Sequence, residues 1–128
     1  MTQAVEPVSI VMPAYGAQTT IIWAVQSVLD QTYEAFELVI VADDDTDYEA
    51  VLGRAGIVDP RLVFTASGAI SGGASPARNI GIEKSRYRYA AMLDADDRFT
   101  PGKLEMMMPA VIARGLASSA LNIALPDG

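Results

Sequence analysis

Four apolar runs of strand length, at residues 8–12, 37–41, 61–65 and 89–93, alternate with segments whose apolar residues recur at helical spacing. The runs are near-continuous rather than alternating apolar and polar, so strands built from them are buried on both faces. A parallel sheet flanked by helices accommodates such strands, and each parallel pair needs a right-handed crossover connection. The chain therefore reads as α/β, a mostly parallel sheet with helices on both faces. Its 128 residues suit one domain, 1–128, that buries about two-thirds of its unfolded surface. Neither a repeat nor a linker interrupts it.

Between the strands the local signals are specific. Ala14-Tyr15-Gly16 turns the chain after Pro13, and Ile21, Val25, Val28 and Leu29 mark a helix from 19 or 20 to 30, with Trp23 on its flank. Thr46-Asp47-Tyr48-Glu49 has the pattern of a capping box for a short helix reaching about residue 54. Residues 67–73 are rich in glycine and serine and read as a loop. Ser75-Pro76 opens a helix bearing Arg78, Asn79 and Lys84. Thr100 and Pro101 have the character of an N-cap and first residue for a helix carrying Leu104, Met107, Met108 and Val111. Pro109 is expected to kink or split that helix. Residues 119–125 complete the pattern as a fifth strand.

Composition removes several kinds of chemistry. The chain has no histidine and no cysteine, which excludes Ser-His triads, thiolate catalysis and the common zinc sites. Carboxylates are left as the acid-base and metal-binding groups. The lack of cysteine fits a cytoplasmic location. A net charge of −7 argues against a surface that coats nucleic acid. No apolar run approaches the ~20 residues of a transmembrane helix, and the N-terminus lacks a signal pattern.

The fourth run stops at Asp94, Asp96 and Asp97. Like charges this close repel one another, so folding alone gives no reason to gather them. Their place at the carboxyl end of a buried strand is where open α/β sheets bind ligands. Mg2+ or Mn2+, brought together with a phosphate, would give the cluster a purpose. A solvated acidic turn is the alternative. The second run likewise leads straight into Asp43-Asp44-Asp45.

Taken in order, Val8-Ser9-Ile10-Val11-Met12-Pro13-Ala14-Tyr15, Gln31-Thr32-Tyr33 before Phe36-Glu37-Leu38, the acids after strand two, Ala77-Arg78-Asn79 and Leu93-Asp94-Ala95-Asp96-Asp97 resemble the family-2 inverting glycosyltransferases. Their nucleotide-sugar-binding fold is called GT-A. The resemblance runs from about Val8 to Leu104 and implies a Rossmann-like sheet that binds a nucleotide-diphosphate sugar. It places Pro13, Ala14 and Tyr15 beside the nucleobase, where the ring either stacks or simply caps the sheet edge. Asp43 corresponds to the second acid of an Asp-Asp-Gly-Ser pattern that recognises base or ribose. Here Ala42 stands at the first acid and Asp44-Asp45 at Gly-Ser. Arg78 faces the diphosphate in this scheme, or else is an ordinary helix-surface arginine. Asp94 and Asp96, with Ala95 between them, match the Asp-x-Asp motif that holds Mn2+ or Mg2+, and Asp97 is an alternative or supporting ligand. Tyr15, Asp43 and Arg78 lie on separate segments, yet one ligand should touch all three, so Asp43 and the Asp94–Asp96 pair should share a sheet edge.

An inverting transferase also needs a carboxylate base for the acceptor hydroxyl. In the family it follows the metal motif. After Arg98 the acids are Glu105, on the expected helix, and Asp127, and neither suits the task, so no catalytic residue is assigned. The expectation is a donor-binding half of a GT-A domain, incomplete at its C-terminus, that binds its donor without efficient transfer. Acceptor, sugar and nucleotide are unspecified, and a homo-oligomer is compatible with the sequence. A non-catalytic nucleotide-binding or interaction module is the main alternative. A phosphohydrolase using Asp94 as nucleophile ranks below it, because such motifs usually follow a first strand.

Overall fold

The computed structural model of the chain describes residues 6–68, 74–114 and 123–124. The elements run β1 (Val8–Ala14), α1 (Thr20–Leu29), β2 (Phe36–Ala42), α2 (Tyr48–Arg54), β3 (Leu62–Ala66), α3 (Ala74–Lys84), β4 (Tyr89–Met92), α4 (Lys103–Arg114) and β5 (Ile123–Ala124). They form one sheet in the order β3-β2-β1-β4-β5. The first four strands are parallel, and β5 pairs antiparallel with Ala90 and Ala91 of β4.

The order explains the layers. From β1 the chain steps to β2 and then to β3 in one direction. It then returns across β1 to place β4 on the other side. Crossovers keep one hand, so reversing the direction moves the connecting helix to the opposite face. Accordingly α1, α2 and α4 pack with Ile10, Met12, Leu38 and Ile40, while Ala77 of α3 packs with Val11, Val39 and Val41 on the other face. The point of reversal lies between β1 and β4. There the carboxyl ends of neighbouring strands diverge and leave a crevice.

Helix α3 lies unusually close to the sheet. A Cβ at Gly81 would sit 2.3 Å from Val11 Cγ1 and 3.1 Å from Val41 Cγ2. Ala77, fully buried, is one turn away on the same face. Two small residues thus let the helix backbone rest on β1 and β2. At the amino-terminal end of the sheet, Glu37 is buried within an otherwise apolar strand. Its Oε2 accepts from Ser9 Oγ at 2.6 Å and from the Arg86 backbone N–H at 2.7 Å, and its Oε1 accepts from Arg86 Nε at 3.1 Å. This carboxylate fixes the path from α3 into β4.

A second buried polar residue, in the connection from α1 to β2, braces the start of α4. Gln31 donates Nε2 to the carbonyls of Ser27 and Thr100, and its Oε1 accepts from Leu104 N–H at the start of α4. The segment after the acidic cluster is thereby tied to α1. This also accounts for a correction: α4 begins at Lys103, not at Pro101, because a side chain from elsewhere caps it and Thr100 accepts from Lys103 N–H in the preceding turn. Pro109 lies inside a continuous α4 and does not split it. The cap of α2 is Asp47, whose Oδ1 accepts from Ala50 N–H, and not Thr46. Helix α3 starts at Ala74, just ahead of Ser75-Pro76. Of the expected fifth strand, Ile123–Ala124 is a strand and the remainder lies outside the described residues, as does the loop beyond Gly68. Among the described residues no helix is long and apolar enough to cross a membrane.

Candidate active site at the switch point

A cleft of about 500 Å3 opens at the carboxyl ends of β1, β2 and β4. Pro13, Ala14, Tyr15, Gly16, Ala17 and Thr20 line it from the β1–α1 turn, Asp43 from the end of β2, Arg78 from α3, and Asp94, Ala95 and Asp96 from the end of β4. Four segments distant in sequence therefore meet in one cavity. Asp43 and the Asp94–Asp96 pair lie at the same sheet edge.

The wall formed by the first turn is held by a residue that the sequence did not single out. Gly16 adopts a left-handed conformation, φ 60°, which glycine reaches without strain. Its N–H donates to Asp44 Oδ2 at 2.7 Å, and Tyr48 OH donates to the same oxygen at 2.7 Å. Tyr48 OH in turn accepts from Ala17 N–H, and Asp44 Oδ1 accepts from Thr46 N–H. This latch leaves the Tyr15 ring exposed at the cleft mouth. Partial burial pushes the Asp44 carboxyl up, but hydrogen bonds from Gly16, Tyr48 and Thr46 outweigh it and hold the group below its ordinary value. A carboxyl lowered on folding stabilises the chain above its unfolded pKa of about 4, and that contribution is lost as pH falls through the folded value. In an Asp44→Asn chain the melting temperature should therefore fall less between pH 6 and pH 3 than in the wild type. Parallel curves would remove this role.

Asp43 is buried at the cleft wall, with its backbone N–H donated to Ala14 O at 2.8 Å and its Oδ1 accepting from Ser67 Oγ at 2.7 Å. Ser67 is a further residue the sequence did not mark, beyond its place in a serine-rich loop.

Arg78 reaches the cleft because its helix sits so close to the sheet. Its Nη2 donates to Asp94 Oδ1 at 3.3 Å, with both side chains partly exposed. Its Nε is buried and meets no acceptor among the described residues. An unmet buried donor is costly, and the same side chain is among those that line the cleft.

The acidic segment is a turn closed by Asp97 N–H donating to Asp94 O at 3.0 Å. Ala95 is buried and pins the turn to the core, while Asp94 and Asp96 are exposed to the cleft. The Asp97 side chain turns elsewhere. Its Oδ1 accepts from Arg98 N–H, and it lines two adjoining hollows rather than the main cleft. Among the described residues no three acidic side chains are gathered as a metal cage. Asp94, Asp96 and Asp97 thus do not form a ready-made triad, since successive residues of a tight turn project in different directions. Two hard carboxylates beside an anion-ready arginine do fit Mg2+ or Mn2+, which usually take one or two carboxylates and complete their shell with phosphate and water. Glu105 lies outside the cleft and accepts from Thr32 Oγ1 at 2.7 Å, and Asp127 lies outside the described residues.

The fold and cleft define an open, doubly wound α/β domain with its ligand crevice at the switch point. The family model for glycosyl transferase family 2 matches residues 9–125, and the chain belongs to that family. It is 35% identical over 121 residues to the putative teichuronic acid biosynthesis glycosyltransferase TuaG of Bacillus subtilis, covering 92% of this chain and 47% of that protein. Among solved structures, Staphylococcus aureus TarS in complex with UDP-GlcNAc superposes with a TM-score of 0.73 at 21% identity, over 85% of this chain and 32% of that one. The mannosyltransferase PcManGT of Pyrobaculum calidifontis, in complex with GDP-Man and Mn2+, gives 0.65 at 21% identity, over 80% and 31%. The GT-A fold is common to them. The chain spans less than half the length of each of these proteins.

Proposed function

We propose that residues 1–128 form the donor-binding half of a GT-A domain, in an inverting, metal-dependent glycosyltransferase that uses a nucleotide-diphosphate sugar. The observation that carries this reading is the convergence of Pro13, Ala14, Tyr15, Asp43, Arg78, Asp94, Ala95 and Asp96 on one cleft. The relatives support the donor class, since two solved neighbours carry UDP-GlcNAc and GDP-Man with Mn2+.

Each residue has a task its chemistry permits. The exposed Tyr15 ring offers a flat apolar face to a base. Asp43 has the chemistry to accept from a base N–H or a ribose hydroxyl. Arg78 offers the exposed part of its guanidinium to the diphosphate in a charge-assisted contact. Asp94 and Asp96 would hold Mn2+ or Mg2+, with Asp97 as a supporting group. The ion would stabilise charge on the departing nucleoside diphosphate. None of these tasks is that of the acceptor's base, which in this reading is supplied by a group outside the residues named here. A non-catalytic nucleotide-binding module would use the same cleft and differ only in lacking turnover.

Calorimetry with UDP and GDP, in Mn2+ or in chelator, tests the reading. Binding of one nucleotide should be at least about tenfold tighter with metal, a gain of roughly 1.4 kcal/mol, and Asp96→Ala should abolish the difference. Equal affinity in both buffers, unchanged by the substitution, would remove the metal. No binding of either nucleotide would remove the donor site.

A further inference from the structure

We propose that the hollow between Trp23 and the Asp96-Asp97-Arg98 segment is a saccharide subsite, which seats a sugar ring of the acceptor beside the donor cleft. The inference rests on the donor reading above.

The chain exposes its single tryptophan: Trp23 is 61% accessible on a helix whose other large residues are mostly packed. Its ring borders a hollow of about 280 Å3 whose other walls are Thr20, Asp96, Asp97 and Arg98. That size is just below the usual range of small-molecule pockets and suits a single ring. Thr20 and Asp96 also line the main cleft, so the two spaces share a wall and an occupant of one lies beside an occupant of the other.

The mixture of groups selects the ligand. A pyranose has an apolar face of C–H groups and a rim of hydroxyls that both donate and accept. An indole covers the first, and carboxylates with a guanidinium serve the second. Three polar groups here are uncommitted: among the described residues, Asp97 Oδ2, the Arg98 guanidinium and the Thr20 hydroxyl make no hydrogen bond or ion pair, while Asp96 is left to the metal of the donor cleft. Arg98 stays unpaired although two carboxylates precede it directly in sequence. A lipid surface would favour apolar neighbours around the tryptophan, and a nucleic acid would be repelled by the acids. A neutral, hydroxyl-rich ring meets neither obstacle.

The single tryptophan makes the test direct. With UDP and Mn2+ saturating, the chain is titrated with methyl β-glucopyranoside, methyl N-acetyl-β-glucosaminide, maltotriose and cellotriose while tryptophan emission and acrylamide quenching are recorded. At least one glycoside should shift emission to the blue and halve the quenching, roughly, with millimolar half-saturation. Arg98→Ala should weaken that glycoside about tenfold, as expected for a lost charged hydrogen bond. By saturation-transfer NMR, Trp23→Phe should retain binding and Trp23→Ala should lose it, while both keep the wild-type UDP affinity. If UDP binds yet no glycoside protects Trp23, the subsite is overturned and the donor reading stands. Protection of Trp23 by UDP alone would also overturn it, by assigning the ring to the donor. If a glycoside protects Trp23 while no nucleotide binds, the saccharide site stands and the donor reading falls.

Discussion

A Gly81→Val chain should lose more than about 3 kcal/mol of stability, a large share of the roughly 5–15 kcal/mol typical of a domain. Even the Cβ alone would lie 2.3 Å from Val11 Cγ1 and 3.3 Å from Val11 Cβ. Neither atom can swing away, because Val11 is fully buried in the central strand and its branched side chain has few rotamers. Alanine at 81 brings two opposed effects. Helix propensity gains about 1 kcal/mol, while overpacking costs typically 1–3 kcal/mol. At this distance the second wins, so Gly81→Ala should also destabilise, by about 1–2 kcal/mol in urea unfolding. Gly53 provides the control. It sits in α2, where an added Cβ would meet nothing within 4 Å, so Gly53→Ala should stabilise by about 0.5–1 kcal/mol. Val11→Ala should partly rescue Gly81→Ala, because the clash needs both side chains. Additive losses in that double mutant would refute the close-packing account. Because α3 also carries Arg78, a Gly81→Ala chain that still folds should bind nucleotide more weakly than its stability alone explains.

Glu37→Ala should cost about 3 kcal/mol or more, given roughly 1.5–3 kcal/mol for each hydrogen bond to a buried charged group. The side chain is 1% exposed, and its loss would strand the Ser9 hydroxyl and the Arg86 backbone N–H. Arg86→Ala should be far milder. The guanidinium is largely exposed, and the substitution keeps the backbone N–H that Glu37 accepts. Chemical denaturation of the two variants separates the possibilities. Equal losses would mean that the ion pair, rather than the buried hydrogen bonds, holds the crossover from α3 into β4.

The sheet was readable because burial on both faces leaves a strong trace: runs such as 37–41 have no polar face to confuse the period. Glu37 shows the limit of that trace. In sequence it marks the start of a strand, and only the register that sets Ser9 beside it turns it into a buried anchor. Local signals erred where a distant residue decided the outcome. Thr100-Pro101 has the chemistry of a helix start, but Gln31 caps the helix further on. The site was legible where a motif is contiguous, as in Asp94-Ala95-Asp96. The direction of the Asp97 side chain was not, because a turn separates neighbours that the sequence writes together. Asp44 reads in sequence only as a departure from a pattern, and its value lies in a hydrogen bond to Gly16, 28 positions earlier.

The sheet order also sets a timetable. Of the strands of this sheet β1 is made first but lies between β2 and β4, so one of its edges waits while the 74 residues between Ala14 and Tyr89 are made on the ribosome. β1, β2 and β3 can pair as they emerge, bringing Tyr15 near Asp43 early. Asp94 and Asp96 arrive only when β4 fills the open edge of β1. The two walls of the cleft therefore belong to different moments of biogenesis, and a nascent chain stalled before β4 would present half a cleft and a bare strand edge. Such an edge carries unpaired N–H and C=O groups on which another chain could pair.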